Sequence, residues 1–529
     1  MKQYKIFSLA TTVALALLLA SCGTKKPIPV PEVPEQKPIA PPAPQVIQHW
    51  SRPAGDSIRE EMRGVWITTV YGLDWPSDKA DTPYGVRRQK EALTRILDRL
   101  KEDGYNTVFL QLRHSGAVIY PSDYEPLSTR FAGEGFFGDY DPIHFAIQAC
   151  HERGLSIHAW LVTYPLVSPK RAPHPLLLRD HSDWVIAHKG SYHLDPGNPE
   201  VRSYVAHLAT DLARRYPKLD GVHFDYFRYP EAAETFADGR SFTRYGKDYA
   251  SKSEWRRDNL TAQLREVRDS LASIQSPLQV SVAPLGKYKK IEDLGRPHGW
   301  TAYESVYQDP QAWGKEGLVD FIVPMMYYKD DLYSPFLQQW KDEVAPYTPV
   351  VPGLAPYRVE ETGWPASTMQ EQIDEEREVG LSGICFFREK YTGATFPAIR
   401  RIIREAFATP ALPLSLARGK KTPPAAPMGL HVKALKKGEF QLAWALPAEA
   451  SMQGITYRLW VTTTDHEGKK HATILAERLE TPQCRLLIED FEEAAEVEFG
   501  VEAVNRFGVS TPCVESLTFQ LPVLKQLLR

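Results

Sequence analysis

Between Arg63 and about Ala406 the chain alternates short apolar runs with stretches of helical periodicity, and this alternation narrows the fold more than any other feature. The runs are Gly64–Val70, Asn106–Leu112, Ser156–Val162, Gly221–Tyr226, Gln279–Pro284, Phe321–Met326, Pro349–Leu354 and Gly383–Phe387. Each is bounded by Gly, Pro or polar residues and reads as a buried strand. Between them Leu93, Ile96, Leu97 and Leu100 recur at helical spacing before Gly104, as do Ile143, Ala146, Ile147 and Cys150 between Asp141-Pro142 and Gly154. Val201 to Leu212 and Leu260 to Ile274 repeat the pattern, and Ser367 with Gln370 is expected to form a capping box for a further helix. Strands alternating with helices give parallel strands with right-handed crossovers. Eight such units in one domain fit a closed (β/α)8 TIM-type barrel, an α/β fold. An open doubly wound sheet is the alternative, but no Gly-rich phosphate loop follows any strand.

After a linker at 409–423 the period changes to two. Phe440–Trp444, Tyr457–Val461 and Val497–Val501 alternate apolar and polar residues, so residues 424–522 are expected to form a small all-β sandwich. The Pro-rich entry, Trp444, the Tyr457 strand and Val501–Gly508 resemble a fibronectin type III domain, whose protein partner the sequence does not reveal. At the other end, Lys2 and Lys5 precede an apolar run, Val13 to Ala20, too short to span a bilayer. It ends Leu19-Ala20-Ser21-Cys22-Gly23, which resembles a bacterial lipoprotein signal. Residues 1–22 are then a signal peptide, Cys22 is the acylated residue that anchors the protein to a membrane, and the Pro-rich residues 23–57 are a tether leading to the barrel at 58–408. Gly23-Thr24-Lys25-Lys26 lacks an acidic run after Cys22, so the expected address is the cell envelope, on the outer membrane facing the periplasm. Cys150 and Cys385 read as core thiols, and a Cys484–Cys513 disulfide is left open.

A formal net charge of -3 gives no sign of a nucleic-acid partner. No Cys or His spacing matches a metal site, and no cofactor is expected. Neither HExxH, a P-loop nor GxSxG stands out, which leaves metalloproteolysis, phosphoryl transfer and α/β-hydrolase chemistry unsupported. Barrel enzymes carry their chemistry at the C-terminal strand ends. The fourth run, Leu219 to Pro230, enters apolar and exits through His223, Asp225, Tyr226, Arg228 and Tyr229. His223 and Asp225 share one face of the strand, so Asp225 is the leading catalytic candidate, with Arg228 placed to tune it or to grip a substrate oxygen. Arg113, His158, Trp160, Tyr327 and Glu389 leave or line other strands and, with His223 and Arg228, are expected to bind substrate. Acid and aromatic groups converging on one rim suit glycosidic cleavage, which usually needs two carboxyl groups. Glu304 is the expected partner of Asp225, and Asp330 and Glu389 are its rivals; Asp309-Pro310 reads instead as a helix N-cap.

Several blocks within Glu61 to Ala406 resemble the family ten glycosyl-hydrolase-like domain of bacterial envelope lipoproteins: Met62–Ile67, Tyr120-Pro121-Ser122 with Glu125-Pro126, His151–Gly154 leading to His158-Ala159-Trp160, Leu194–Gly197, Asp220–Pro230, Trp255-Arg256-Arg257 and Val319–Pro324. The resemblance implies a TIM-type barrel, hydrolysis of glycosidic bonds in a polysaccharide, and an envelope substrate, the glycan strands of peptidoglycan stripped of stem peptides. It also assigns the fourth-strand aspartate to Asp225, here expected to attack the sugar. The sequence departs from the family pattern at Gly116-Ala117, Val162-Thr163-Tyr164-Pro165 and Met325, where polar rim residues are usual. Those departures keep in view a non-catalytic glycan-binding scaffold on a degenerate barrel, and a polysaccharide hydrolase acting at the cell surface is a separate alternative.

Overall fold

The computed structural model describes residues 45–47, 58–133, 135–167, 176–415, 422–436, 438–448, 450, 454–511 and 515–528. Cys22, the signal peptide, most of the tether and Cys513 lie outside the described residues. Among those described, no helix is long and apolar enough to cross a membrane.

All eight expected strands are present: β1 (Met62–Ile67), β2 (Thr107–His114), β3 (Ser156–Val162), β4 (Gly221–Asp225), β5 (Gln279–Val282), β6 (Phe321–Ile322), β7 (Gly353–Leu354) and β8 (Gly383–Phe386). They are parallel and ordered β6-β5-β4-β3-β2-β1-β8-β7. Parallel bridges Ile322 to Val350 and Met325 to Gly353 join β6 to β7 and close the ring. β6 and β7 are shorter than the apolar runs around them because Pro324, Pro349 and Pro352 have no N–H to give the ladder.

Eight helices follow the strands in turn: α1 (Pro83–Glu102), α2 (Pro142–His151), α3 (Pro199–Arg215), α4 (Lys252–Ser273), α5 (Pro310–Lys315), α6 (Tyr333–Glu343), α7 (Ser367–Val379) and α8 (Pro397–Ala406). Asp141 caps α2 by accepting from the Ile143 and His144 amides at 2.8 and 3.0 Å, and Asp309 caps α5 through Ala312. The capping box expected at Ser367 is absent, since Ala366 is the N-cap and no side chain bonds there. The outward residues of the strands pack under these helices in one core. The inward ones form a second, with Met62, Trp66, Phe109, Trp160, Phe321, Val323, Val351 and Cys385 filling the barrel. Small residues make room for it: a Cβ on Gly353 would lie 2.8 Å from the Trp66 ring.

Beyond the barrel stand two antiparallel sheets. One holds β9 (Met428–Ala434), β10 (Glu439–Ala445) and β13 (Gln483–Leu487). The other holds β11 (Ile455–Thr464), β12 (Lys470–Leu479), β14 (Glu496–Asn505) and β15 (Ser516–Gln520), with Gln45–Ile47 added at its edge beside β15. Phe440, Leu442 and Trp444 of one sheet pack on Leu459, Val461, Phe499 and Val501 of the other, so the pair is a sandwich. The first part of the expected linker is built into the barrel base. Leu412 bridges Glu60, and Leu414 packs against the barrel interior. Trp460 of the sandwich rests on Leu412, and Lys218 pairs with Glu480 at 2.6 Å. The sandwich thereby covers the N-terminal ends of the strands and leaves the C-terminal mouth free.

Candidate active site

The site grows from the alternation of β4. Val222 and Phe224 point outward into the helix-covered core, so His223 and Asp225 point into the barrel, with Asp225 as the last strand residue. The chain then turns through Tyr226, whose φ of 47° lies in the left-handed region. That turn brings the Tyr226 amide back to donate to Asp225 Oδ1 at 2.6 Å, while Trp160 Nε1 donates to Oδ2 at 3.1 Å from neighbouring β3. Each carboxylate oxygen therefore holds one N–H. Asp225 is 6% exposed, and burial pushes its pKa up; the Tyr226 amide, the Arg228 charge and the Trp160 donor oppose that rise. Arg228 acts at a distance and makes no hydrogen bond to Asp225, and no carboxylate is among the groups that set the Asp225 charge.

Tyr327, from the exit of β6, packs tilted against Phe387 with ring centroids 5.6 Å apart, and burial, then the charge of Asp225, raises its hydroxyl pKa, which puts both at one mouth. Trp160 meets the same Phe387 edge-on. Asp225, Trp160, Tyr327 and Arg228 are thus brought together.

The other expected residues are placed elsewhere, and their expected substrate contacts are corrected accordingly. His223 has no exposed surface and lies one layer deeper. Trp66 Nε1 donates to its Nε2 at 3.2 Å, which leaves Nδ1 as the protonated nitrogen, facing Ser281 Oγ at 2.9 Å. Burial holds its pKa well below that of a free histidine. His158 is deeper still, between Phe109 and Phe321, with Nδ1 unpaired and its pKa lowered to about 4 by burial. Arg113 is buried in a two-pronged pair with Glu125, at 2.6 and 2.5 Å, and also donates to the Thr163 and Val162 carbonyls. Its guanidinium ties the β2 exit to the β3 exit and has no edge left for a sugar.

Glu304, expected as the second carboxylate, instead accepts from Thr301 Oγ1 at 2.6 Å and from the Lys290 amide at 3.3 Å. Glu389 turns away from the mouth to Arg99 on α1, and Asp330 pairs with Lys329 at the surface. Arg388 is bound to Asp74. Among the described residues no group of three or more His, Cys, Asp or Glu is arranged to hold a metal ion.

The sequence reading passed over a hairpin between β3 and α3. Val185–His188 pairs with Ser191–Leu194, and Lys189-Gly190 turns with φ of 44° and 79°, the backbone of a two-residue hairpin loop. Alternation around a Lys-Gly pair was the available signal. This hairpin and the exit of β4 line an opening of about 260 Å³. Tyr226, 44% exposed, lies on its wall with its ring over the Arg228 guanidinium at 4.8 Å.

The sequence profile of the glycosyl hydrolase-like 10 family matches residues 61–367. Glycosyl hydrolase DigH of Escherichia coli strain K12 is 32% identical over 431 residues, covering 74% of this chain and 94% of its own length. Glycosyl hydrolase YngK of Bacillus subtilis strain 168 is 30% identical over 302 residues, covering 54% of this chain and 58% of its own. Among solved structures, the endo-beta-1,4-mannanase from Thermotoga petrophila aligns over 88% of this chain and 98% of its own, at 11% identity and a TM-score of 0.42. On the profile match and the DigH relation, the chain belongs to the glycosyl hydrolase-like 10 family and is a glycosidase.

Proposed function

We propose that this protein hydrolyses glycosidic bonds in the glycan strands of peptidoglycan, with Asp225 as the reacting carboxylate. The observation that carries the reading is the setting of Asp225: the terminal residue of a barrel strand, held by two N–H donors and paired with no cation among the described residues. Two donors orient the carboxylate and leave a lone pair on each oxygen for a sugar carbon or a proton. Tyr327 and Tyr226 offer the aromatic surface that sugar faces pack against. The resemblance to envelope lipoproteins supplies the substrate class, and the acylation signal ending at Cys22 agrees with it. In this reading Cys22 anchors the protein in the envelope, on the outer membrane facing the periplasm. The strand order of the sandwich, β9-β10-β13 facing β12-β11-β14-β15, supports its reading as a fibronectin type III-like module.

The test uses the purified full chain and its Asp225→Asn variant on three substrates: glycan strands stripped of peptides, intact peptidoglycan and soluble plant polysaccharides. The expected result is shortening of stripped strands by the native protein and a loss of about a thousandfold or more in the variant. Strands bound but left uncut by both proteins would make this a glycan-binding barrel. Cleavage confined to plant polysaccharides would move the substrate outside the envelope.

A further inference from the structure

The opening beside Asp225 carries more positive charge than its surroundings neutralise. Arg228 and Lys189 line it together with a single carboxylate residue, Glu231. His188 Nε2 contacts the Glu231 carbonyl at 2.9 Å, and burial with the nearby His188 and Arg228 lowers the His193 pKa to about 4, so His193 adds no lasting charge. Arg228 is 8% exposed, and its Nη1 is buried with no hydrogen-bond partner. An unpaired buried guanidinium N–H is costly, and in native proteins such a donor usually has a ligand or ion to meet. The opening is also small. At about 260 Å³ it lies below the range of sites that engulf a drug-sized molecule, so it takes one substituent rather than a stretch of glycan.

Tyr226 links this opening to the chemistry. Its amide holds Asp225 Oδ1 while its ring covers the Arg228 guanidinium. A group bound by Arg228 therefore belongs to a sugar at the bond that Asp225 faces. Guanidinium recognises planar, two-oxygen anions through paired N–H bonds, and a carboxylate is the form of that chemistry found on sugars. We propose that Arg228 and Lys189 form a subsite for a carboxylate substituent on the sugar next to the scissile bond. The inference rests on the reading of Asp225 as the reacting group. Two kinds of sugar present such a group: a muramic acid through its lactyl ether, and a uronic acid through C6.

Calorimetric titration of the full-length Asp225→Asn protein reads binding without turnover. The probes are an N-acetylglucosamine–N-acetylmuramic acid disaccharide, the same disaccharide with its carboxyl reduced to the alcohol, and a glucuronic acid–N-acetylglucosamine disaccharide. At least one carboxylate probe is expected to bind about tenfold or more tighter than the reduced one. Which carboxylate probe wins identifies the source. That preference should vanish in Arg228→Gln and fall several-fold in Lys189→Gln, both on the Asp225→Asn background. Lys189 sits on an exposed turn, so its variant remains informative if Arg228→Gln fails to fold. Equal affinity for the reduced and carboxylate probes, no binding of either carboxylate probe, or a preference untouched by both substitutions would each overturn the subsite. A native protein that cleaves stripped strands and their carboxyl-reduced form equally well would overturn the subsite alone. A native protein that cleaves neither, while the binding preference holds, would overturn only the role of Asp225.

Discussion

Trp160 Nε1 donates to Asp225 Oδ2 at 3.1 Å, so the carboxylate proposed to react is oriented by an indole from the neighbouring strand. The indole N–H favours the ionised form of Asp225 against burial, which pushes the other way. Trp160→Phe keeps a ring beside Phe387 and removes only the donor. The Asp225 pKa should then rise further, so less of it is ionised at a given pH. The acid limb of the kcat/KM profile is expected to move to higher pH, with kcat about tenfold lower at neutral pH and KM little changed. An unmoved acid limb would show that Trp160 serves only as a packing surface.

Arg113 and Glu125 form a buried ion pair, with Tyr204 also donating to Glu125 at 2.6 Å. Removing one partner strands the other charge in the interior. Arg113→Met is expected to cost about 3–5 kcal/mol in urea denaturation, and Arg113→Met with Glu125→Leu should regain most of it. The double variant should cleave glycan at near-native kcat/KM. Native stability with a raised KM in Arg113→Met would instead return Arg113 to the substrate.

His158 is buried neutral with its pKa lowered from 6.5 to about 4. In the unfolded chain the same histidine takes up a proton near pH 6.5, so the unfolded state gains protons first as pH falls. Stability from this group is present above pH 6.5 and is lost progressively down to about pH 4, by about 3 kcal/mol in all. His158→Leu keeps an apolar side chain between Phe109 and Phe321. Between pH 6.5 and 4 its stability should fall with pH less steeply than that of the native protein, by about one proton. Parallel slopes would show that His158 is protonated in the folded protein.

How far each feature was legible follows from the range of the interaction behind it. The barrel was visible because strand and helix periodicities are local, and each of the eight apolar runs became a strand. Asp225 was visible because alternation along one strand puts His223 and Asp225 on the same face. Alternation does not give depth, however, and His223 and His158 share the inward face while lying below the mouth, under Trp66 and beside Phe321. Arg113 looked available because Glu125, its partner, is twelve residues away in an irregular loop. The cationic opening went unread because it joins the Lys189 turn to Arg228, two segments nearly forty residues apart that only the fold brings together.

The sandwich is fastened to the barrel through the residue that opens β4. Arg478 Nη1 donates to Asp220 Oδ1 at 2.7 Å, and Nη2 donates to Ser156 Oγ at 2.7 Å. His151 Nε2 lies 3.0 Å from Asp220 Oδ2, which also accepts from the Ile157 amide at 2.8 Å. Arg478 and His151 hold the Asp220 carboxyl well below the usual carboxylate range, against burial. A lowered folded-state pKa contributes stability that is present above about pH 4 and lost as pH falls further. Arg478→Ala removes the largest of these opposing influences and the bond to Ser156. It is expected to cost about 1–3 kcal/mol near neutral pH and to make stability fall less steeply below about pH 4, because the folded Asp220 pKa then lies closer to its unfolded value. Because Trp460 and Lys218 then hold the modules with less help, calorimetry should show the sandwich melting before the barrel. Asp225 stands at the far end of β4, five residues from Asp220, and kcat on stripped glycan should change less than twofold. A single unchanged transition would mean that the modules are joined by their apolar contact alone, and a large fall in kcat would mean that strain at Asp220 reaches Asp225 along the strand.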